Sequence, residues 1–424
     1  MKARQFFMVA AAAAMLAACT KGEVVYDDSD VAIAFSPVAQ MSTKAPVYGP
    51  MNEPNSAYDT DETFGIFAYH KVTDQTTWSN FYSSEGNTQT PSLYINNGEF
   101  EFRTGSVYGG VTPYYWPKTG LLAFAGYSPY EGLRDLVNIN PDGTNPSIKI
   151  PSFSQGSYSS TISNSKGALS VTNQTVDVMW FDLDDAPIVN YGSAGTASTG
   201  VPVKFRHACA WLDFNLSASH PDGGADAKGL FKILKVTLKN VYTKGAFDSN
   251  KVEDAQSGTA GNETVTLDEK NPWTNFGYAT ENTKDIVLFS YDQGQLLGTA
   301  GTAIGEAASD DPKMELTGLL VIPQSLDQVA EVTAEGQEIA AKSATVLEIE
   351  YQQMTSASQT PNTEKFVAAI TGSNVVKGDG DAVTDPGDWL YGRHYVYNIT
   401  FGLDEILISP SVVDWVDENK TINN

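Results

Sequence analysis

Two cysteines and four histidines are the side chains of this 424-residue chain best suited to chemistry, and their spacing excludes most of it. Cys19 ends the apolar run "FFMVAAAAAMLAAC", while Cys209 lies far away in "HACAWLDFNL". His70, His207, His220 and His394 never pair at metal-ligand spacing, and no HExxH occurs. A nucleophile elbow, a P-loop and a dinucleotide-binding glycine pattern are all missing from the sequence. "FDLDDAP" (Phe181–Pro187) and "GDGDAVTDPGD" (Gly378–Asp388) cluster carboxylates of the kind that bind calcium. Neither keeps the spacing of a calcium loop, so solvated turns are the expectation. "PYYWP" places Tyr114, Tyr115 and Trp116 together. These rings suit either a sugar platform or core packing around a proline-bounded strand, and packing is favoured. A carboxylate pair for glycoside hydrolysis would leave no spacing to read. Nothing marks an enzyme, and no cofactor or metal site is expected.

Cys19 invites a different chemistry. Lys2 and Arg4 form a basic start, Phe6–Ala18 is uncharged, and Leu16, Ala17 and Ala18 lead into the thiol. The apolar run is shorter than the roughly 20 residues of a membrane-spanning helix. It has the parts of a signal peptide. Leu-Ala-Ala-Cys resembles the bacterial lipobox, in which the thiol is acylated and the chain is cut before it. Residues 1–18 are therefore expected to be a lipoprotein signal peptide, with Cys19 as the lipidation site. Cys209, flanked by apolar residues, is expected to be a buried, inert thiol. One remaining cysteine leaves no disulfide within the chain.

The net charge of −25 repels phosphate backbones and argues against a nucleic-acid partner. Length predicts two or three domains. Apolar residues, at 41%, are frequent enough to build real cores.

Period-two alternation dominates, bounded by Gly, Asn, Asp, Ser and Pro. It predicts strands over Asp30–Phe35, Thr63–His70, Leu121–Pro129, Val201–Ser217, Phe231–Tyr242, Asp285–Tyr291, Gly318–Ser325, Ala344–Gln352 and His394–Leu403. Within Phe231–Tyr242, Leu234, Val236 and Leu238 share one face and Lys235, Thr237 and Lys239 the other. "YSSTISNSKGALSVTNQT" reads as a loop or hairpin, and "SLDQVAEVTAEGQEI" as one short helix. The Gly/Ser/Thr-rich Val189–Gly200 predicts a boundary between an N-terminal domain (45–198) and a C-terminal domain (199–424). Many strands without intervening helices predict an all-β fold of two tandem, mainly antiparallel β-sandwiches.

The stretches "VPVKFRHACAWLDFNLS", "ILKVTLKNVYTKGAFD", "LLVIPQSL" and "WLYGRHYVYNITFGLDEILISPSVVDWVDEN" occur in the order found in fimbrillins. Together with the lipobox and the early strands, they make the chain resemble that family, the type V pilins of Bacteroidota. The resemblance implies transthyretin-like sandwiches, export as an outer-membrane lipoprotein, and assembly with other pilin subunits into a surface fibre. It also implies that a protease removes the anchor with the first strand, leaving a groove that accepts a strand from another subunit.

"DVAIAF", with Val31, Ile33 and Phe35 on one face, suits the removable strand of a lipid-anchored propeptide, residues 19–44. Lys44 is the sole basic residue between Lys21 and Lys71 and sits in a polar, proline-flanked segment, so Lys44–Ala45 is the expected cut. Near the other end, Val412, Val413, Trp415 and Val416 suit a donated strand, with donation expected to begin after Pro410. The alternatives are a permanently anchored lipoprotein that binds glycan, and a pilus base subunit. A host or bacterial surface ligand is a further expected partner.

Overall fold

The computed structural model describes residues 31–37, 48–49, 63–71, 93–104, 107–117, 120–139, 147–162, 169–182, 200–203, 205–218, 231–251, 272–274, 283–297, 314–327, 332–334, 337–339, 342–353, 362–370, 388–402 and 406–413. Strands make up 73% of these residues, and their one helical element is the 3-10 turn Ser249–Lys251. The all-β architecture expected from the alternation is present.

Leu121–Ser128 is buried at every position. Leu122 and Phe124 face one core and Ala123, Ala125 and Tyr127 another, so both faces pack against neighbours. It pairs antiparallel with Phe64–Lys71, from Gly65 opposite Tyr127 to Lys71 opposite Leu121. Outward from this pair the sheet continues through Leu93–Thr104, Val107–Gly110 and Ala34–Pro37 on one side. On the other it continues through Met179–Phe181. The stretch 201–207 joins both ends. Val201–Val203 pairs parallel with Ala34–Pro37, and Phe205–His207 pairs antiparallel with Met179–Phe181. The sheet thereby closes on itself around a core that includes Phe35, Phe64, Phe100, Phe124 and Phe205.

A second core lies between two facing sheets. One contains Leu169–Asn173, Tyr158–Ile162, Thr283–Leu296, Phe231–Tyr242, Val346–Gln353 and Thr363–Ala369 in that order. The other contains Met314–Val321, Ala210–Ala218, His394–Phe401 and Ile406–Val413. A third core joins the two regions, with Tyr69, Phe153, Trp180, Tyr242, Phe247, Trp273 and Tyr391 among its members. Trp273 donates its indole N–H to the Ala208 carbonyl at 2.6 Å, which ties this middle core to the chain between two strands.

Pairing crosses the boundary expected near residue 199 in both directions. Val201–His207 completes the N-terminal sheet, while Tyr158–Ile162 and Leu169–Asn173 add to the sheet of the C-terminal sandwich. The latter two strands form the hairpin foreseen as one option for that polar stretch.

Three local expectations are corrected. The single strand predicted over Val201–Ser217 is three strands in two sheets, because the chain changes partners at Ala208 and Cys209. There the Ala208 N–H goes to Val178 and the Cys209 carbonyl takes the Gly392 N–H. The predicted helix contains the antiparallel pair Val332–Ala334 and Gln337–Ile339 instead. Val332 and Thr333 are β-branched and favour strands. Leu234 is half-buried rather than part of the core face, because the register shifts between Ile233 and Lys235 on both flanking strands. An extra residue at a bulge reverses the side-chain alternation. Phe231 and Ile233 therefore point inward before it, and Val236 and Leu238 after it.

Lys342 is the notable buried charge. Its amine donates to Thr345 Oγ1 at 2.8 Å and to the Asn240 carbonyl at 3.4 Å, and it lies 5.4 Å from the Tyr242 ring centroid. Burial pulls this amine down from its usual 10.5 to about 8, against the opposing pull of Asp388 and Asp327. Between those values the unfolded chain binds the extra proton, so stability rises with pH. Above about pH 10 the trend reverses, because burial holds the Tyr242 and Tyr351 hydroxyls up at about 12 and their stabilisation is lost as the unfolded phenols ionise. Lys342→Met is expected to flatten the rise between pH 8 and 10, which amounts to about 3 kcal/mol at most. Chemical unfolding across that range measures it, and an identical slope in both proteins would contradict the assignment.

Candidate functional site

The first described segment, 31–37, is paired through its backbone on both sides. On one side the Ile33 N–H donates to the Tyr114 carbonyl at 2.7 Å, and the Trp116 N–H donates to the Val31 carbonyl at 3.0 Å. Ala34 then stands opposite Gly109, and Phe35 opposite Tyr108. On the other side Phe35, Ser36 and Pro37 face Val201, Pro202 and Val203 in parallel register. The alternation read from the sequence holds. Ile33 and Phe35 are 1% and 0% exposed, and Val31 packs against the same core.

Phe35 is boxed by aromatic rings. Phe100 and Phe124 each lie 4.9 Å away by centroid, at 85° and 88°, and Phe64 lies 6.1 Å away at 80°. All three contacts are edge-to-face, the favoured geometry for aromatic pairs. At the rim, Gly200 has φ +66°, and a Cβ there would sit 2.5 Å from the Phe35 carbonyl carbon. Only glycine lets the strand backbone pass this close. Taking segment 31–37 out of this arrangement would leave two unpaired edges, Val107–Gly110 and Val201–Val203, and an apolar slot between them.

At the other end of the chain, Ile406–Val413 is the edge strand of a four-stranded sheet and pairs antiparallel with His394–Phe401. Its ladder runs through Pro410, opposite Tyr397, to Val412 opposite Tyr395 and Val413 opposite His394. Pro410 therefore does not end pairing within the chain, and an edge strand is where a proline is tolerated. Ile406 and Ile408 pack on the sandwich core, while Leu407 is 51% exposed. Trp415 and Val416 lie outside the described residues, as do Cys19, Lys44 and Ala45.

The other candidate groups do not converge. Cys209 is wholly buried, with its sulfur 3.7 Å from the Gln155 amide nitrogen and from the Val176 carbonyl, and burial pushes its thiol far up. That suppresses the reactive thiolate. His207 Nδ1 pairs with Asp177 at 2.8 Å, and His394 Nε2 with Asp213 at 2.7 Å, in different sheets. His70 stands beside the Tyr94 ring, and His220 lies outside the described residues. No group of metal-ligating side chains occurs among the described residues. Of the two acidic runs, only Phe181, Asp182 and Asp388 are described. "PYYWP" does not form a three-ring platform. Trp116 is buried against Phe124, Tyr114 stacks on Phe100, and Tyr115 alone of the three is exposed.

Sequence reading missed the lining of the slot. Phe64, Phe100 and Phe124 come from three strands, and nothing local says that they meet around Phe35. Leu93–Thr104, which supplies Phe100, is absent from the expected strands because "LYINNGEFEFRT" breaks its alternation with Asn96, Asn97 and Gly98.

A search of curated proteins finds no match. Among solved structures, the chain is similar to a fimbrial protein from Bacteroides vulgatus, with 16% identity and a TM-score of 0.45, covering 91% of this chain and 99% of that one. It is also similar to the C-terminally truncated tip fimbrial protein Mfa3 from Porphyromonas gingivalis, with 13% identity and a TM-score of 0.35, covering 84% of this chain and 94% of that one. The fimbrillin-like family model matches residues 43–415, nearly the whole length. The chain therefore belongs to the fimbrillin-like family and is a structural subunit of pilus type, not an enzyme.

Proposed function

We propose that this chain is exported as an outer-membrane lipoprotein acylated on Cys19 and assembled into a pilus by proteolysis-triggered strand exchange. A cut between Lys44 and Ala45 releases residues 19–44, and with them the first strand. A C-terminal strand containing Val412, Val413, Trp415 and Val416 of the next subunit then fills the slot. The observation that supports this reading is the placement of segment 31–37. It is paired on both sides and seals an aromatic core, yet it is encoded just before the proline-flanked segment that carries Lys44. While it is in place the sheet is closed and the subunit has no slot to offer. Its removal creates both the unpaired backbone and the apolar groove that an incoming strand needs.

N-terminal sequencing of polymers from the cell surface tests the reading. Ala45 is the expected first residue. Lys44→Ala is expected to leave uncleaved monomers at the surface and to reduce polymer ladders severely. Normal ladders from that variant would remove Lys44 from the mechanism. Polymers that keep acylated Cys19 would point to a base subunit.

A further inference from the structure

The slot has one position that reads a side chain and one that reads only backbone. We infer that the Phe35 position is the specificity-determining subsite of strand exchange, taking an aromatic side chain, and that its occupant in the polymer is Trp415 of a second copy. This inference rests on the strand-exchange reading above.

The Phe35 ring is enclosed edge-to-face by Phe64, Phe100 and Phe124 and has no exposed surface. A box of three perpendicular rings is matched in shape and quadrupole by another aromatic group, while a short aliphatic residue leaves a cavity. Two residues earlier on the same face, Ile33 is also buried. The occupant must therefore present an aliphatic residue, one spacer and an aromatic residue. It must run parallel to Val201–Val203 and antiparallel to Val107–Gly110.

The C-terminal tail repeats that spacing in the same chain direction. Val413, Asp414 and Trp415 correspond to Ile33, Ala34 and Phe35. In the free subunit Val413 stands opposite His394, so taking the Ile33 position of a neighbour requires the last rungs of that ladder to open, with residues 414–424 following them in the chain. Gly200 adds the second requirement. A Cβ there would meet the Phe35 carbon and the Ser36 nitrogen at 2.5 and 2.7 Å, both backbone atoms, so the constraint falls on any occupant whatever its sequence.

The test uses the full chain cut once between residues 37 and 48, which leaves the first strand held noncovalently. Displacement is followed with labelled peptides spanning residues 28–37 and 409–419. The first-strand peptide and its Phe35→Trp form are expected to bind within about fivefold of each other. The Phe35→Ala form is expected to bind at least ~100-fold more weakly, the scale of a phenylalanine deleted from a core. The tail peptide is expected to displace the first strand, and its Trp415→Ala form to lose that ability to a similar degree. A Phe35→Ala peptide that binds like the parent would overturn the aromatic subsite while leaving exchange intact. A tail peptide that fails where the first-strand peptide succeeds would overturn the assignment of Trp415. Failure of every peptide would overturn strand exchange itself, and this inference with it.

Gly200→Ala in the cut chain is expected to release its first strand at least ~10-fold faster than the parent. Gly132→Ala serves as the control, since Gly132 has φ +88° with nothing within 4 Å of its Cβ position. Equal effects of the two substitutions would reduce the Gly200 effect to backbone strain alone.

Discussion

Cells carrying Cys19→Ala are expected to lose nearly all of this protein from the outer surface and to show no label from radioactive palmitate. On the proposed reading, acyl chains on Cys19 would supply the membrane affinity, at about 0.8 kcal/mol per buried CH₂, so each chain lost would remove on the order of 10 kcal/mol. No helix among the described residues is long and apolar enough to cross a membrane. The edge strands present mixed surfaces rather than a lipid-facing band. Ile406–Val413, for example, alternates exposed Leu407 and Ser409 with half-buried Ile406 and Ile408. Folding of the rest is expected to be unaffected, since the three cores are built by residues from Ile33 onward among those described. The measurements are palmitate labelling, surface proteolysis and the thermal unfolding of purified protein. Continued labelling and normal surface levels would refute Cys19 as the anchor.

Trp415→Ala is expected to block polymer extension while leaving the monomer's melting temperature unchanged. An aromatic anchor in a desolvated pocket contributes about 2–4 kcal/mol to an interface, which is roughly 30- to 1000-fold in affinity. In a fibre that loss recurs at every junction, so long polymers disappear before dimers do. The position of the C-terminal strand makes the monomer side of the comparison informative. Ile406 and Ile408 already cover part of the sandwich core, and the ladder with His394–Phe401 reaches Val413. Truncation before Ile406 is therefore expected to destabilise the subunit, whereas truncation after Val413 is not. Thermal unfolding and polymerisation after the Lys44 cut should be run side by side. A destabilised Trp415→Ala monomer that still polymerises would mean that the ring packs within its own subunit.

These two outcomes depend on information of different kinds. Cys19 and its apolar approach are local patterns, and so is the alternation that puts Ile33 and Phe35 on one face. A strand's side chains point to alternate sides whichever neighbour it acquires, so the inward set can be read before any partner is known. The same holds for Leu121–Ser128 and His394–Phe401. The family resemblance was also carried by such segments in order, and the match over residues 43–415 rests on the same chain.

Sheet membership was decided only by tertiary structure. The run from Val201 to Ser217 looks continuous because its apolar residues barely pause. Yet the chain changes sheets at Ala208–Cys209, where the backbone groups bond to Val178 and Gly392, distant in sequence. Strand pairing is non-local, and no residue type records which edge it will meet. Leu234 fell off the core face because a single extra residue at a bulge reverses alternation, and that residue is counted against the neighbouring strands. Gly200 shows the limit most directly. In the sequence it is one of several glycines in a polar linker. In the fold it is the point where the Phe35 backbone passes too close for any side chain. Local chemistry determined which residues seek burial and which end carries the thiol. The closing of one sheet around the first strand, and hence the slot left by its removal, came from contacts among segments from Ile33 to Phe205 that only the folded chain brings together.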